Sequence, residues 1–250
     1  MKIVRQKIPG TKGDIFALIY NPAETTDKLA VICPGYLDTK DYEHLTDLAK
    51  KLCGIGYSAV VFDPTGTWES GGDISDYTNS QYLDDIKTVL DFMLKQASYK
   101  KILLGGHSRG GQVSILYSAR DPRISEVVAI MPSSSKTIKG KRYEDWEKQG
   151  LAVSFRDIPG SSEKKEFRVP YSHVIDRKKY DVFEDVKKVN VPIVFVAGEL
   201  DSIVLPEDVK RIYDLASEPK KYVLMNGIGH DYRQNSKEIE AVNRRIIEAL

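Results

Sequence analysis

The sequence predicts an α/β fold with a mostly parallel central sheet that helices cover on both faces. Three observations lead to this prediction. Short apolar segments alternate along the chain with amphipathic segments of helical period. The 250 residues suffice to bury one large core. No segment repeats at a fixed period, which argues against solenoids and propellers. Because strand–helix–strand units form right-handed crossovers, this alternation favours parallel strands.

The individual elements follow from local patterns. Apolar runs bounded by turn residues predict strands at 15–20, 29–33, 59–62, 101–104, 127–131, 193–197 and 222–225. Apolar residues that recur every three or four positions predict helices at 42–54, 80–94, 111–119 and 206–215, and from about 237 onward. The first helix, for example, places Leu45, Leu48 and Leu52 on one face, and Gly56 ends it.

The interval from 132 to 190 interrupts the alternation. It is too long for a simple crossover between two strands. Its first part is polar and irregular, and its last part, 174–189, looks helical. We interpret 132–190 as a lid over the carboxyl edge of the sheet, and 1–131 with 191–250 as the core domain. A solvated excursion with no role in binding is the alternative.

Basic residues are concentrated in the first part of this interval, at Lys136, Lys139, Lys141 and Arg142. Such a run is typical of a solvated loop. It would favour an anionic substrate if the lid folds over the carboxyl edge of the sheet.

Composition narrows the classes of partner and cofactor. The chain carries 37 Lys and Arg against 36 Asp and Glu, a net charge of +1, so we expect no nucleic-acid partner. No apolar run approaches the roughly 18 residues of a membrane span, and the charged amino terminus does not resemble a secretion signal. Cys33 and Cys53 are the only cysteines, which excludes a disulfide framework and a four-cysteine zinc site. We expect a cytoplasmic protein with no cofactor and no metal.

A serine motif lies between a predicted strand and a predicted helix. The strand at 101–104 runs into Gly106-His107-Ser108-Arg109-Gly110, which fits the pattern G-x-S-x-G. Glycines at the two ends allow a sharp turn that holds the serine clear of the sheet. The helix dipole then favours an oxyanion that develops beside the serine. Ser108 is therefore the candidate nucleophile.

A serine hydroxyl needs a base, and the base needs a carboxylate to orient it. The chain has four histidines, and His230 follows a strand end on a glycine-bearing loop, so we assign it as the base. The strand at 193–197 ends before Glu199 and Asp201, which the parallel sheet brings to the same edge. Asp201 is the better candidate because it lies past the turn, and Glu199 is the alternative.

Two backbone N–H groups are needed to bind an oxyanion. Arg109, the residue after the nucleophile, supplies one of them. The second should come from the loop after the strand at 29–33. Pro34 has no N–H and Gly35 permits an unusual backbone, so Tyr36 is the best donor. An ordinary turn at the strand end is the alternative for this loop.

These segments resemble the α/β-hydrolases over nearly the whole chain. The order Ser108, Asp201, His230 is the order of that superfamily, and the chain is similar to short-lidded carboxylesterases of the cinnamoyl (feruloyl) type. The resemblance implies a serine hydrolase that cleaves a small-molecule carboxylic ester through an acyl-enzyme. Peptidase, amidase or lipase-type hydrolysis on the same triad is an alternative, and a non-catalytic ligand-binding scaffold is another.

Two positions depart from the family pattern. Pro34 stands where the family usually has histidine, and Trp68 stands where it commonly has glycine. Both changes alter the predicted pocket wall. Trp68 is expected either to fill space near the nucleophile or to pack as core, and Trp146 is the second candidate pocket residue.

Overall fold

A computed structural model describes residues 1–134 and 140–250 of the chain. An eight-stranded sheet runs through its centre in the order β1-β2-β4-β3-β5-β6-β9-β10. The strands of this sheet are β1 (Lys2–Ile8), β2 (Ile15–Asn21), β3 (Lys28–Cys33), β4 (Ser58–Phe62), β5 (Lys101–His107), β6 (Glu126–Ile130), β9 (Ile193–Gly198) and β10 (Lys220–Met225). All pairings from β4 to β10 are parallel, whereas β1 and β2 are antiparallel to their neighbours. The prediction of an α/β fold with a mostly parallel sheet is confirmed.

The helices have nearly the bounds that the apolar periodicity predicts. The five that flank the central sheet are α1 (Glu43–Gly54), α2 (Asn79–Gln96), α3 (Arg109–Ser118), α7 (Pro206–Leu215) and α8 (Ser236–Ala249). Short 3₁₀ turns lie at Ile74–Asp76, Val186–Lys188 and Tyr232–Gln234. No helix in the described part of the chain is long and apolar enough to cross a bilayer.

Two hydrophobic layers cover the faces of the sheet. Alternate residues of β3 point to opposite faces, so Val31 belongs to one layer and Ile32 to the other. Helices α2, α3 and α7 pack on the first face, and α1 and α8 pack on the second. Every residue of β4 is buried, as expected for a strand with helices on both sides.

The first strand escaped prediction because of its composition. β1 mixes charged, polar and apolar residues, most of which are exposed, and it pairs with β2 from Lys2↔Asn21 to Ile8↔Ile15. It lies at the edge of the sheet, where a strand pairs with one neighbour only and its side chains need not be buried on both faces. A search for continuous apolar runs therefore does not detect it.

The interval 132–190 between β6 and β9 is called the insertion here. Its described residues form elements that are not part of the central sheet. Its elements are α4 (Lys141–Gln149), β7 (Leu151–Asp157), β8 (Lys164–Pro170), α5 (Ser172–Arg177) and α6 (Val182–Asp185). β7 and β8 form an antiparallel hairpin separate from the main sheet. The expectation of an irregular first part is wrong for the described residues, which form a helix and a hairpin. These elements are mostly exposed and carry few apolar residues, so the apolar pattern does not reveal them. Lys136 and Lys139 lie outside the described residues.

A third hydrophobic cluster attaches the insertion to the rest of the molecule. Trp146, Phe167 and Val174 of the insertion are buried together with Leu37 and Tyr77, which follow β3 and β4. Both of those loops leave the carboxyl edge of the sheet. The insertion thus lies over the edge where the candidate site residues are found.

Candidate active site

Ser108 lies on a strained turn between β5 and α3. Its backbone has φ 55° and ψ −114°, in a region that non-glycine residues rarely adopt. A Cβ at Gly106 or at Gly110 would overlap the carbonyl oxygen of Cys33. The two glycines therefore allow β3 to approach the turn closely. A side chain at either position would clash with this neighbouring strand, which explains why the motif has glycine at both ends.

The structure brings the three distant residues of the predicted triad into one hydrogen-bonded chain. His230 Nε2 lies 3.0 Å from Ser108 Oγ, and His230 Nδ1 lies 2.7 Å from Asp201 Oδ2. A carboxylate only accepts, so the Nδ1 atom of His230 carries the proton of that bond. With the imidazole neutral, Nε2 is left to accept the proton of the serine hydroxyl.

Asp201 is held by the turn that follows β9. Its Oδ1 accepts hydrogen bonds from the backbone N–H groups of Ile203 and Val204, at 2.9 and 2.7 Å. The side chain is buried, so its orientation toward His230 is fixed. Glu199, the alternative carboxylate, is exposed and accepts instead from the N–H of Gly227 at 2.8 Å. The structure therefore brings Asp201 to the histidine and not Glu199.

The candidate oxyanion donors lie on two loops that meet beside Ser108. Within the described residues, neither the N–H of Tyr36 nor that of Arg109 donates a hydrogen bond to the protein. The loop of Tyr36 is held from the insertion, because Arg156 donates to the Tyr36 carbonyl through Nε at 3.2 Å and Nη2 at 2.8 Å. On the other side, Leu37 N–H donates to the Tyr77 hydroxyl at 2.7 Å.

A cavity of about 320 Å³ opens above Ser108. Its core lining includes Tyr36, Arg109, Val204 and His230. The insertion contributes Ser133, Arg142, Tyr143, Trp146, Arg156, His173 and Arg177. A volume of this size fits a small molecule. Trp146, one of the two candidate pocket residues, lies in this lining.

Trp68 does not line the cavity, and the expectation that it fills space near the nucleophile is corrected on this point. Its indole N–H donates to the Leu37 carbonyl at 2.9 Å. Its ring packs edge-to-face between Tyr42 and Phe167, with centroid distances of 5.9 and 5.5 Å. Lys165 of β8 donates to the Trp68 carbonyl at 2.9 Å. Trp68 therefore joins the hairpin of the insertion to the core.

His173 is a cavity residue that the sequence did not reveal. It is buried and stacks on Tyr77 and Trp146, at centroid distances of 5.5 and 5.6 Å. Its Nδ1 lies 2.7 Å from the Tyr77 carbonyl, so Nδ1 carries the proton and Nε2 is an acceptor. Burial holds the pKa of His173 well below its usual range, so the ring is neutral. No local pattern in the sequence distinguishes this histidine.

A second group of histidines lies beneath the site. Asp38, His44 and His107 are buried and bring three possible metal-ligand atoms within 4.8 Å of one another. Burial lowers the pKa of His44 to about 3 and also lowers that of His107. Both rings are therefore neutral at pH 7. The ring centroid of His107 lies 4.7 Å from that of His230. His44 lies in the helix predicted at 42–54 and His107 lies in the serine turn, and no local pattern in the sequence links the two.

Comparisons with known proteins agree with this architecture. A family model described as "Serine aminopeptidase, S33" matches residues 24–183. Lysophospholipase L2 of Escherichia coli strain K12 is 27% identical over 114 residues, which are 43% of this chain and 33% of the relative. The chain thus spans about a third of the length of that relative.

Two solved structures share the fold over nearly their whole length. Est1E from Butyrivibrio proteoclasticus, solved with ferulic acid, has a TM-score of 0.77 and 21% identity, with 97% of this chain and 98% of that chain covered. The α/β hydrolase GrgF from Penicillium sp. sh18 has a TM-score of 0.81 and 18% identity, with 98% and 97% covered. The family model covers more than half of the chain, and the two neighbours superpose on nearly all of it. The chain therefore belongs to the serine aminopeptidase family of α/β-hydrolases.

Proposed function

We propose that the protein is a serine hydrolase that cleaves small-molecule carboxylic esters through an acyl-enzyme. The observation that carries this proposal is the hydrogen-bonded chain from Ser108 through His230 to Asp201. Ser108 and His230 line a cavity that is large enough for a small ester. The E. coli relative is named a lysophospholipase, and Est1E was solved with ferulic acid, which are further reasons to consider esters.

In the proposed mechanism Ser108 Oγ attacks the acyl carbon and its proton passes to His230 Nε2. The N–H groups of Tyr36 and Arg109 stabilise the negative oxygen of the tetrahedral intermediate. The carbon–oxygen bond to the alcohol then breaks, and the alcohol leaves with the proton of His230. Water attacks the acyl-enzyme by the same route, which releases the acid and restores the serine. Asp201 keeps the imidazole oriented and stabilises its charged form throughout.

We also propose that the insertion acts as a lid. Seven of the cavity residues belong to it, and Arg156 holds the loop of Tyr36. A substrate bound at Ser108 would contact both the sheet edge and the insertion.

Cleavage of peptides or amides is a second candidate, which the description of the matched family favours. A triad of this kind serves both reactions. Rates on p-nitrophenyl esters and on aminoacyl p-nitroanilides would separate the two. We expect the esters to be the better substrates by kcat/KM.

The direct test of the nucleophile is labelling with a fluorophosphonate probe. We expect the probe to label the native protein and not the Ser108→Ala variant, with the label on the peptide that contains Ser108. Ester turnover should fall more than about a thousandfold in Ser108→Ala, since loss of a triad nucleophile usually costs more than that. Ser118→Ala, at the far end of the same helix α3, is the matched control and should retain both probe labelling and ester turnover. Labelling that persists in Ser108→Ala would contradict the proposal.

A further inference from the structure

The cavity above Ser108 is strongly cationic, although the chain as a whole is nearly neutral. Five arginines line it, against two aspartates, an excess of three positive charges in a chain whose net charge is +1. The arginines are Arg109, Arg142, Arg156, Arg177 and Arg233. A concave site lined by charges of one sign concentrates their field on a bound molecule.

The two carboxylates neutralise only one side of the cavity. Arg233 Nε lies 3.9 Å from Asp38 Oδ1 and 3.6 Å from Asp231 Oδ1. Within the described residues, Arg109, Arg142 and Arg156 have no carboxylate within 4.0 Å. Residues 135–139 contain no aspartate or glutamate, so they supply no such partner. The positive charge is therefore concentrated on the side where the insertion faces Ser108.

Arg109 is one of two buried arginines in this lining, and burial of a charge without a counter-ion is costly. Arg109 is 2% exposed, its Nε donates to Asn79 at 3.0 Å, and its guanidinium stacks 3.9 Å from the ring centroid of Tyr77. Among the residues that the structure describes, its buried Nη1 and Nη2 atoms have no hydrogen-bond partner. Asn79 and Tyr77 fix the position of this charge and do not neutralise it.

Arg177, which is 7% exposed, lies near Arg109. It donates to uncharged oxygens, at 3.4 Å to Gln112 and at 3.2 Å to Ser133. Burial lowers the pKa of its guanidinium, and the charge of Arg109 lowers it further. Both buried guanidinium groups line the cavity, so an anion bound there would be attracted by both of them.

Uncharged polar atoms complete the same part of the cavity. Within the described part of the chain, the Tyr36 hydroxyl is buried without a well-formed hydrogen bond. Burial raises its pKa to about 12 against the smaller opposing effect of the neighbouring Ser154 hydroxyl, so it remains a donor. Buried polar groups in native proteins normally have a partner. A ligand with acceptor oxygens would supply one, and it would reach the guanidinium groups on the same side.

We propose that the substrate of this hydrolase carries an anionic group, a carboxylate or a phosphate, which binds between Ser108 and the arginines of the insertion. Arg142 at the mouth, Arg156 on the hairpin and Arg177 on α5 recognise the anion, and Arg109 adds its field from below. This inference rests on the proposed function, because it names the substrate class of the same site. Arginine suits this role because its planar donors match the oxygens of a carboxylate or phosphate.

A matched pair of esters tests the charge preference. p-Nitrophenyl hemiglutarate and p-nitrophenyl pentanoate have acyl chains of equal length, and only the first ends in a carboxylate. We expect kcat/KM to be higher for the hemiglutarate by about tenfold to a hundredfold, in line with a hydrogen bond to a charged group. High salt should reduce this ratio through screening at the exposed mouth.

Competition separates the two kinds of anion. Glutarate and inorganic phosphate are each added to the pentanoate assay, with sodium chloride at the same ionic strength as the baseline. Stronger inhibition by glutarate assigns the site to a carboxylate, and stronger inhibition by phosphate assigns it to a phosphate. Inhibition by neither anion beyond the chloride baseline would overturn the inference.

Variants then locate the preference. Arg177→Gln and Arg142→Gln should each lower the ratio of the two kcat/KM values, by about tenfold for the buried residue and by less for the exposed one. Arg244→Gln, on the exposed face of α8, is the matched control and should leave the ratio unchanged. Because Arg142 is exposed, its variant remains informative if Arg177→Gln does not fold.

The two proposals fail in different ways. Equal kcat/KM values for the two esters, with Ser108 still labelled by the fluorophosphonate, would overturn the anionic substrate and leave the hydrolase intact. A ratio that stays high in both arginine variants would also overturn it. Absence of labelling and of hydrolysis of either ester would overturn the serine hydrolase and this inference together.

Discussion

The central sheet and the insertion differ in how they are built. The sheet has two apolar layers, and three of its strands, β5, β9 and β10, are followed by the turns that carry Ser108, Asp201 and His230. The insertion has only one small hydrophobic cluster among the described residues, which it shares with core loops, and it exposes apolar side chains such as Phe155 and Ile175. It contributes three arginines and three aromatic rings to the cavity. In our account the rigid part holds the reacting groups and the appended part selects the substrate.

The separation is incomplete at one point. Arg156 of the insertion donates two hydrogen bonds to the carbonyl of Tyr36, whose N–H is a proposed oxyanion donor. Trp68 of the core in turn contacts Phe167 and Lys165 of the hairpin. Variants on either side of this junction can separate the functions of the sheet from those that depend on the insertion.

The largest effect should come from the sheet itself. Asp201→Asn should lower kcat by about ten-thousandfold, because an amide favours the wrong tautomer of His230. Glu199→Gln is the matched control on the same turn and should retain most activity, since Glu199 contacts Gly227 and not the histidine. Steady-state kinetics on a neutral ester measure both. A greater loss in Glu199→Gln than in Asp201→Asn would reverse the assignment of the carboxylate.

A smaller effect should cross the junction through Arg156, which we regard as a positioning residue. Arg156→Ala should lower kcat on a neutral acetyl ester by about tenfold to a hundredfold, because the Tyr36 loop loses its anchor and a small displacement of a donor is costly. KM for this uncharged substrate should change much less. Arg168→Ala on the same hairpin serves as the control, because the ion pair that Arg168 makes within the described residues is with the exposed Glu166. Equal kcat values for the two variants would confine the insertion to substrate selection.

The smallest effect concerns Trp68. Trp68→Gly should destabilise the protein by about 1–3 kcal/mol, because ring contacts to Tyr42 and Phe167 are lost. Its positive φ of 48°, which glycine adopts freely, should offset part of that loss. Activity across p-nitrophenyl acetate, butyrate and octanoate should keep the same profile, whereas Trp68→Phe should recover part of the stability. A selective gain on the longer acyl esters would restore Trp68 to the pocket wall.

Much of the fold and the triad geometry was predictable because the signals are local. Buried strands such as β4 are continuous apolar runs, and the serine turn brings its glycines with it. His230 and Asp201 follow predicted strands, so the parallel sheet alone places them at one edge. Their roles in catalysis remain predictions.

The sequence was less informative where packing decides the structure. β1 and the β7–β8 hairpin are largely exposed and lack apolar runs. The indole of Trp68 would suit a pocket wall and the packed core equally well. Only its contacts with the hairpin distinguish the two. The cationic lining joins Arg109 to residues more than thirty positions away, so no local pattern reveals it.

Trapping of the acyl-enzyme tests the central claim most directly. The protein is mixed with excess p-nitrophenyl ester, quenched in acid during turnover and digested for mass spectrometry. Our account predicts a peptide containing Ser108 that is heavier by the acyl group, and no such peptide from Ser108→Ala. Continued ester turnover with the acyl group on another residue, or turnover that persists in Ser108→Ala, would contradict it.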